Sequence, residues 1–235
     1  MCGRYSLVKK IIPKEHRYAA KFAGIEPEPT YNAAPSQILP VLPMSSAKAQ
    51  FFNWGLLSAW AKDPKAKRPI NARSESLTTN GLFRSLIVRK RCLVPADGFY
   101  EWQVLDNPTT DLFGNPTTSK GKPKKQPYRI TLKNDELFSF AGLYDEWADN
   151  SSGEILKTFT IITTDANELM RPIHDRMPVI LTPETEVLWL DEHESDKNLL
   201  MDLLQPYPAN QMKAYPVSPL INSPLNNTPE LLNSL

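Results

Sequence analysis

Proline is the residue that most restricts this chain: there are 22 prolines against only 9 glycines. Each proline fixes φ and removes a backbone donor, so it interrupts helices and is tolerated in turns and at strand ends. The prolines follow no repeat and reach almost every part of the chain. That distribution predicts short strands joined by fixed loops, with no long helix. A length of 235 residues, with 41% hydrophobic and 23% charged residues, is ordinary for a globular chain with one large core.

Local patterns support that reading. Residues 2–8, 30–43, 50–57, 128–133, 137–143, 156–163 and 179–181 read as strands. Residues 91–95 and 99–104 bracket Ala96-Asp97-Gly98, a turn signal, and read as a hairpin. Helices are expected over 14–23, over 74–86 and within 183–204, with Trp189, Leu199, Leu200 and Leu203 buried. A further short helix is expected over 165–170, capped by Asp165 with Glu168 three residues on. The expected fold class is α+β: a single domain over 1–235, with mostly antiparallel strands forming a barrel-like core and peripheral helices. Polar residues 106–125 read as an exposed loop, and residues 216–235 as a Pro/Asn-rich tail.

Several classes are excluded. No run approaches the roughly 20 apolar residues of a membrane-spanning helix, and Met-Cys-Gly-Arg-Tyr is too polar to open a signal peptide. A cytoplasmic protein without membrane contact is expected. Two cysteines and three histidines form no spaced metal motif, so no metal or cofactor is expected. The net charge of +1 hides an uneven distribution. Lys62, Lys65, Lys67, Arg68, Arg73, Arg84, Arg89, Lys90 and Arg91 are offset along their stretch only by Asp63 and Glu75. Glu184, Glu186, Asp191, Glu192, Glu194, Asp196 and Asp202 make a later segment acidic. The basic stretch suits a polyanion; the alternative is a solvated face plus an acidic helix.

Cys2 is the chemically distinctive position. Methionine is trimmed when a small residue follows, and trimming leaves an α-amine and a thiol on adjacent carbons. Their reference pKa values, about 7.7–8.0 and about 8.5, give both a nucleophilic form near neutrality. Such an aminothiol condenses with an aldehyde to a Schiff base, and the thiol then closes a five-membered thiazolidine. An internal cysteine lacks the amine. On position alone, Cys2 is equally a small strand residue. Cys92, in an apolar run, reads as inert packing.

The surrounding motifs are Cys2-Gly3-Arg4-Tyr5, Tyr31-Asn32-Ala33-Ala34-Pro35-Ser36-Gln37, Trp54-Gly55-Leu56 and Asn71-Ala72-Arg73-Ser74-Glu75. They continue with Arg91 through Trp102, Thr163-Thr164-Asp165-Ala166-Asn167 and His174-Asp175-Arg176-Met177-Pro178. In this order they resemble the SRAP family (SOS response-associated peptidase), from Cys2 to about Tyr215. The resemblance implies a DNA-damage-response protein that binds single-stranded DNA containing abasic sites. It implies a covalent link from Cys2 to the ring-opened sugar aldehyde, with lyase-like chemistry and a cysteine-dependent autopeptidase activity that removes Met1.

The resemblance also implies roles. Glu101 matches the family's acid and shuttles protons. His174 matches a histidine that protonates the sugar ring oxygen, and Asn71 an asparagine that orients the cysteine amine. Arg4, Arg73 and Arg176 match arginines that grip phosphates. Trp54, Trp60 and Trp102 are candidates for stacking on unpaired bases; for Trp54 and Trp60 the alternative is core packing. Glu75 is read as a partner of Arg73 or Arg4. His16 and His193 receive no role. The 106–125 loop is longer than the family's minimum, and a monomer is expected. Two alternatives stand beside this reading: a thiol peptidase using Cys2 and His174, and a non-catalytic single-strand binding protein.

Overall fold

The computed structural model describes residues 2–8, 17–105, 109–110, 116–117, 123–149 and 151–235. The strands are β1 Tyr5–Leu7, β2 Thr30–Ala33, β3 Ile38–Pro43, β4 Gln50–Trp54, β5 Asn71–Arg73, β6 Arg91–Ala96, β7 Gly98–Val104, β8 Thr109–Thr110, β9 Pro116–Thr117, β10 Lys125–Leu132, β11 Phe138–Ala148, β12 Ile155–Asp165, β13 Arg176–Pro178, β14 Ile180–Leu181 and β15 Met212–Pro216. The helices are short: α1 Ala19–Phe22, α2 Leu86–Arg89, α3 Pro183–Leu190 and α4 Lys197–Asp202. This is the α+β architecture expected from the proline-rich sequence.

Five strands close a barrel. β12 pairs in parallel with β4, β4 antiparallel with β3, β3 with β6, β6 with β11, and β11 returns to β12. Closure pairs both edges of every strand in the ring over part of its length. β6 is buried at every position, which explains its continuous apolar run. The barrel is filled by Val41, Phe52, Trp54, Val94, Phe140, Phe159 and Ile161. β5 extends β12 in parallel, and β13 pairs with the last residues of β12. A second sheet, in the order β15-β10-β7-β1-β2, lies beside the barrel.

The two sheets join at a corner where the sequence predicts a hairpin. β6 and β7 do not pair: β6 belongs to the barrel, while β7 pairs with β1 and β10. The buried Asp97 holds the corner. Its Oδ1 accepts from Ser6 Oγ at 2.6 Å and Arg129 Nη2 at 2.9 Å, and its Oδ2 accepts from Val8 N at 2.6 Å. Glycine follows because a Cβ at Gly98 would lie 2.8 Å from Arg129 Nη2. The turn signal is real, but a buried ion pair makes it a change of sheet.

Other expectations change as well. Within 74–86 a 3-10 turn, Ser74–Ser76, forms and α2 starts only at Leu86; Asn80 lies between them, its Oδ1 accepting from Leu82 N. Asp165 ends β12, and its carboxylate accepts from Arg176 instead of capping a helix. Of the expected helix over 14–23, only α1 is present among the described residues, and 14–16 lie outside them. Trp189 and Leu200 are buried as expected, whereas Leu199 is exposed. Most of the 106–125 segment lies outside the described residues, apart from the pairing of β8 with β9. Residues 216–235 are folded: Ile221 and Leu231 are buried against Tyr100 and Val217.

Candidate functional site

Cys2 lies just ahead of β1, which β2 and β7 flank. Tyr5 pairs with Phe99, and Tyr100 N donates to Arg4 O at 3.0 Å. Carried on by that antiparallel register, the start of the chain runs alongside Glu101. Cys2 is fully buried, with Sγ 3.8 Å from Arg4 O. Burial raises the thiol pKa well above its ordinary range, and the charge of Glu101 adds to the rise. A thiolate at neutral pH is therefore disfavoured, contrary to the expectation from its reference value.

Glu101 is 2% exposed, on β7 opposite Tyr128 of β10. Burial pushes its carboxyl up to about 7, against the opposing pull of the positive amino terminus. An acid with that pKa exchanges protons in both directions near neutrality.

Asn71 opens β5, where pairing of β5 with β12 sets it beside Ile161. Its Nδ2 donates to Cys2 O at 2.8 Å. Its Oδ1 is buried and has no hydrogen-bond partner among the described residues, an arrangement that costs free energy unless a donor arrives. His174 sits in the turn that leads from β12 into β13. Its Nδ1 accepts from Arg176 N at 3.0 Å and lies 2.7 Å from Asp175 Oδ1. Burial first, then the positive amino terminus, lowers the His174 pKa. The Arg176 amide asks for a lone pair on Nδ1 and the Asp175 carboxylate for a proton there, so the ring's protonation state decides which contact it makes.

The basic and aromatic candidates separate into groups. Arg4 is half-buried and donates to Asn32 Oδ1, Ile221 O and Asn222 O. Arg73 is exposed at the end of β5. Arg176 is buried: it donates to Glu75 Oε1 and Oε2 at 2.8 and 2.9 Å, Asp165 Oδ1 at 2.9 Å and Thr163 O at 2.8 Å. Those partners occupy both terminal nitrogens of the guanidinium expected to grip phosphate, and its Nε is buried with no partner among the described residues, so Arg176 ties β12, β13 and the Ser74–Ser76 turn together. Glu75 pairs with Arg176, not with Arg73 or Arg4.

Trp54 is in the barrel core, stacked on Phe159 with centroids 6.1 Å apart and donating to Ile70 O. It offers no face to a base. Trp60 is 70% exposed, beside a cleft of about 490 Å³ lined in part by Leu56, Lys62, Lys67 and Leu82. Trp102 is half-buried, follows Glu101 directly and donates to Asn222 Oδ1 at 2.7 Å. Asn222 and the segment around it were missed from sequence. Asn32 lies inside one of the motifs but carried no role.

Among the described residues, no group of three or more His, Cys, Asp or Glu is arranged to hold a metal ion. Likewise, no helix there is long and apolar enough to cross a membrane.

A buried amino-terminal cysteine tied to an asparagine and flanked by a carboxyl titrating near neutrality defines a site built around the start of its own chain. Residues 1–224 match the SOS response associated peptidase (SRAP) family, and the chain belongs to it. It is 46% identical over its full length to the whole of the abasic site processing protein YoqW of Bacillus subtilis. It is 33% identical to the abasic site processing protein HMCES of Xenopus tropicalis, over 88% of this chain and 67% of that one. The crystal structure of a Bacteroides thetaiotaomicron protein superposes with a TM-score of 0.82 at 32% identity, covering all of both chains.

Proposed function

We propose that this protein is an abasic-site processing protein. It binds single-stranded DNA and, after loss of Met1, forms a thiazolidine crosslink between Cys2 and the lesion. The observation that carries this reading is the arrangement at Cys2: Asn71 holds its carbonyl at 2.8 Å, and Glu101 titrates at about 7 beside it.

The buried, protonated thiol sets the order of events. The Cys2 amine attacks the ring-opened sugar aldehyde first. The carbinolamine loses water with Glu101 donating a proton to the departing hydroxyl, leaving a protonated iminium and the Glu101 carboxylate. The thiol then adds to the iminium carbon, and its proton returns to Glu101, restoring the acid. The net change is aldehyde plus aminothiol to thiazolidine plus water. Asn71 Oδ1 is free to accept from the new amine, and His174 Nε2–H is suited to protonating the sugar oxygen as the ring opens. Arg4 and Arg73 contact phosphates, while Trp60 and Trp102 stack on bases.

The raised thiol pKa disfavours the alternative of a thiol peptidase acting on other proteins, because a protease nucleophile works as a thiolate. Intact-mass analysis with abasic and undamaged oligonucleotides tests the proposal. The expected product is protein lacking Met1 plus the abasic strand minus one water, formed with the abasic strand alone. Retention of Met1 in the adduct, or an equal adduct with undamaged DNA, refutes it.

A further inference from the structure

Arg4 is anchored by Asn32 and by two residues more than two hundred positions away. Its Nη1 donates to Asn32 Oδ1 at 2.8 Å and Ile221 O at 2.7 Å, and its Nη2 to Asn222 O at 3.1 Å. An arginine has five N–H groups, so the Nε–H and one Nη2–H remain along a single edge. Every anchor is a neutral oxygen, and among the described residues no carboxylate pairs with Arg4. A half-buried cation left un-neutralised, with a two-pronged edge to spare, matches the geometry of a phosphate.

Asn32 controls that edge. It is 1% exposed. Its Nδ2 faces Ile221 O at 3.3 Å, Ser223 O at 2.9 Å and Asn226 O at 2.9 Å, which turns Oδ1 toward Arg4. Asn227 adds a second fastening, its Oδ1 accepting from Tyr31 N at 2.7 Å and Asn32 N at 3.2 Å. Asn222 Oδ1 meanwhile holds Trp102, the neighbour of Glu101.

We infer that Asn32 is a positioning residue for phosphate binding: it fastens residues 219–227 to Arg4 and so presents the Nε/Nη2 edge of Arg4 to the DNA backbone. The inference rests on the single-strand binding proposed above. It makes the carboxy-terminal segment part of the DNA site.

The test is the salt dependence of binding to an undamaged single-stranded oligonucleotide, followed by fluorescence anisotropy. Each phosphate contact contributes about 0.7 to the slope of log K against log salt for single strands. Arg4→Ala is expected to flatten the slope by about that amount. Asn32 carries no charge, yet Asn32→Ala is expected to flatten it equally and to weaken binding about tenfold. The double variant is expected to lose no more than Arg4→Ala alone.

A wild-type slope in Asn32→Ala, or additive losses in the double variant, overturns the inference. If Asn32→Ala does not fold, the exposed Asn227→Ala takes its place: a flattened slope supports the inference and an unchanged slope overturns it. Crosslinking of the wild-type protein to an abasic strand, measured in parallel, reports separately on the covalent reading. An adduct with no effect of Asn32 or Asn227 removes only the positioning role.

Discussion

Replacing Glu101 with glutamine tests the central electrostatic argument. Burial raises this carboxyl from 4.5 to about 7. In the unfolded chain it ionises near 4.5; in the folded chain it stays protonated until about 7. Below the lower value both states hold the proton and the group is neutral toward stability. Between the two values the unfolded chain sheds its proton first, so stability falls as pH rises, and above about 7 the loss is complete. At roughly 1.4 kcal/mol per pK unit, the shift is worth about 3 kcal/mol. Glutamine fills nearly the same volume and does not ionise. Glu101→Gln is therefore expected to be up to about 3 kcal/mol more stable than wild type near pH 8 and equal to it near pH 4. Urea titrations at a series of pH values measure the difference. The same variant is expected to form the DNA adduct about 10²-fold more slowly. Parallel stability curves for the two proteins across the whole window, or an unchanged crosslinking rate, would refute the reasoning.

Cys2→Ala and Cys2→Ser are both expected to keep single-strand affinity and lose the stable adduct, each leaving an imine that only borohydride traps, as read on denaturing gels. Arg176→Ala removes a buried guanidinium shared by Glu75 and Asp165, and is expected to cost about 2–4 kcal/mol by chemical denaturation; an effect on DNA affinity with no loss of stability would reverse its assignment. Trp54→Ala is expected to cost about 3–5 kcal/mol of stability, while Trp60→Ala is expected to leave stability unchanged within about 0.5 kcal/mol and to weaken DNA binding. His174→Ala is expected to slow adduct formation about 10²-fold at neutral pH with affinity retained, as read by single-turnover kinetics.

The short helices followed from proline spacing, because proline acts locally; the strands did not all stay short, since β11 and β12 run eleven residues each through proline-free stretches. Cys2 was legible for a similar reason: its place directly after Met1 is local information. What the sequence concealed depended on distant partners. Asp97 reads as a turn residue until Arg129 and Ser6 arrive from two other strands to bury it. Arg176 reads as a surface cation until Glu75 and Asp165 close around it. Trp54 and Trp60 both read as base stackers or core packing, yet one fills the barrel and the other faces solvent. The reference pKa of the Cys2 thiol gave no warning of its burial. Residues 219–227 look like a loose polar tail, since their hydrogen bonds run through main-chain carbonyls that composition does not reveal.

Arg4 and the Ile221 carbonyl are 217 positions apart. A ribosome releases the cysteine and its arginine early and the anchoring carbonyls late. Until then a nascent chain holds Arg4 without two of its three anchors. A product that stops before Ile221 is therefore expected to leave the Arg4 guanidinium held by Asn32 alone.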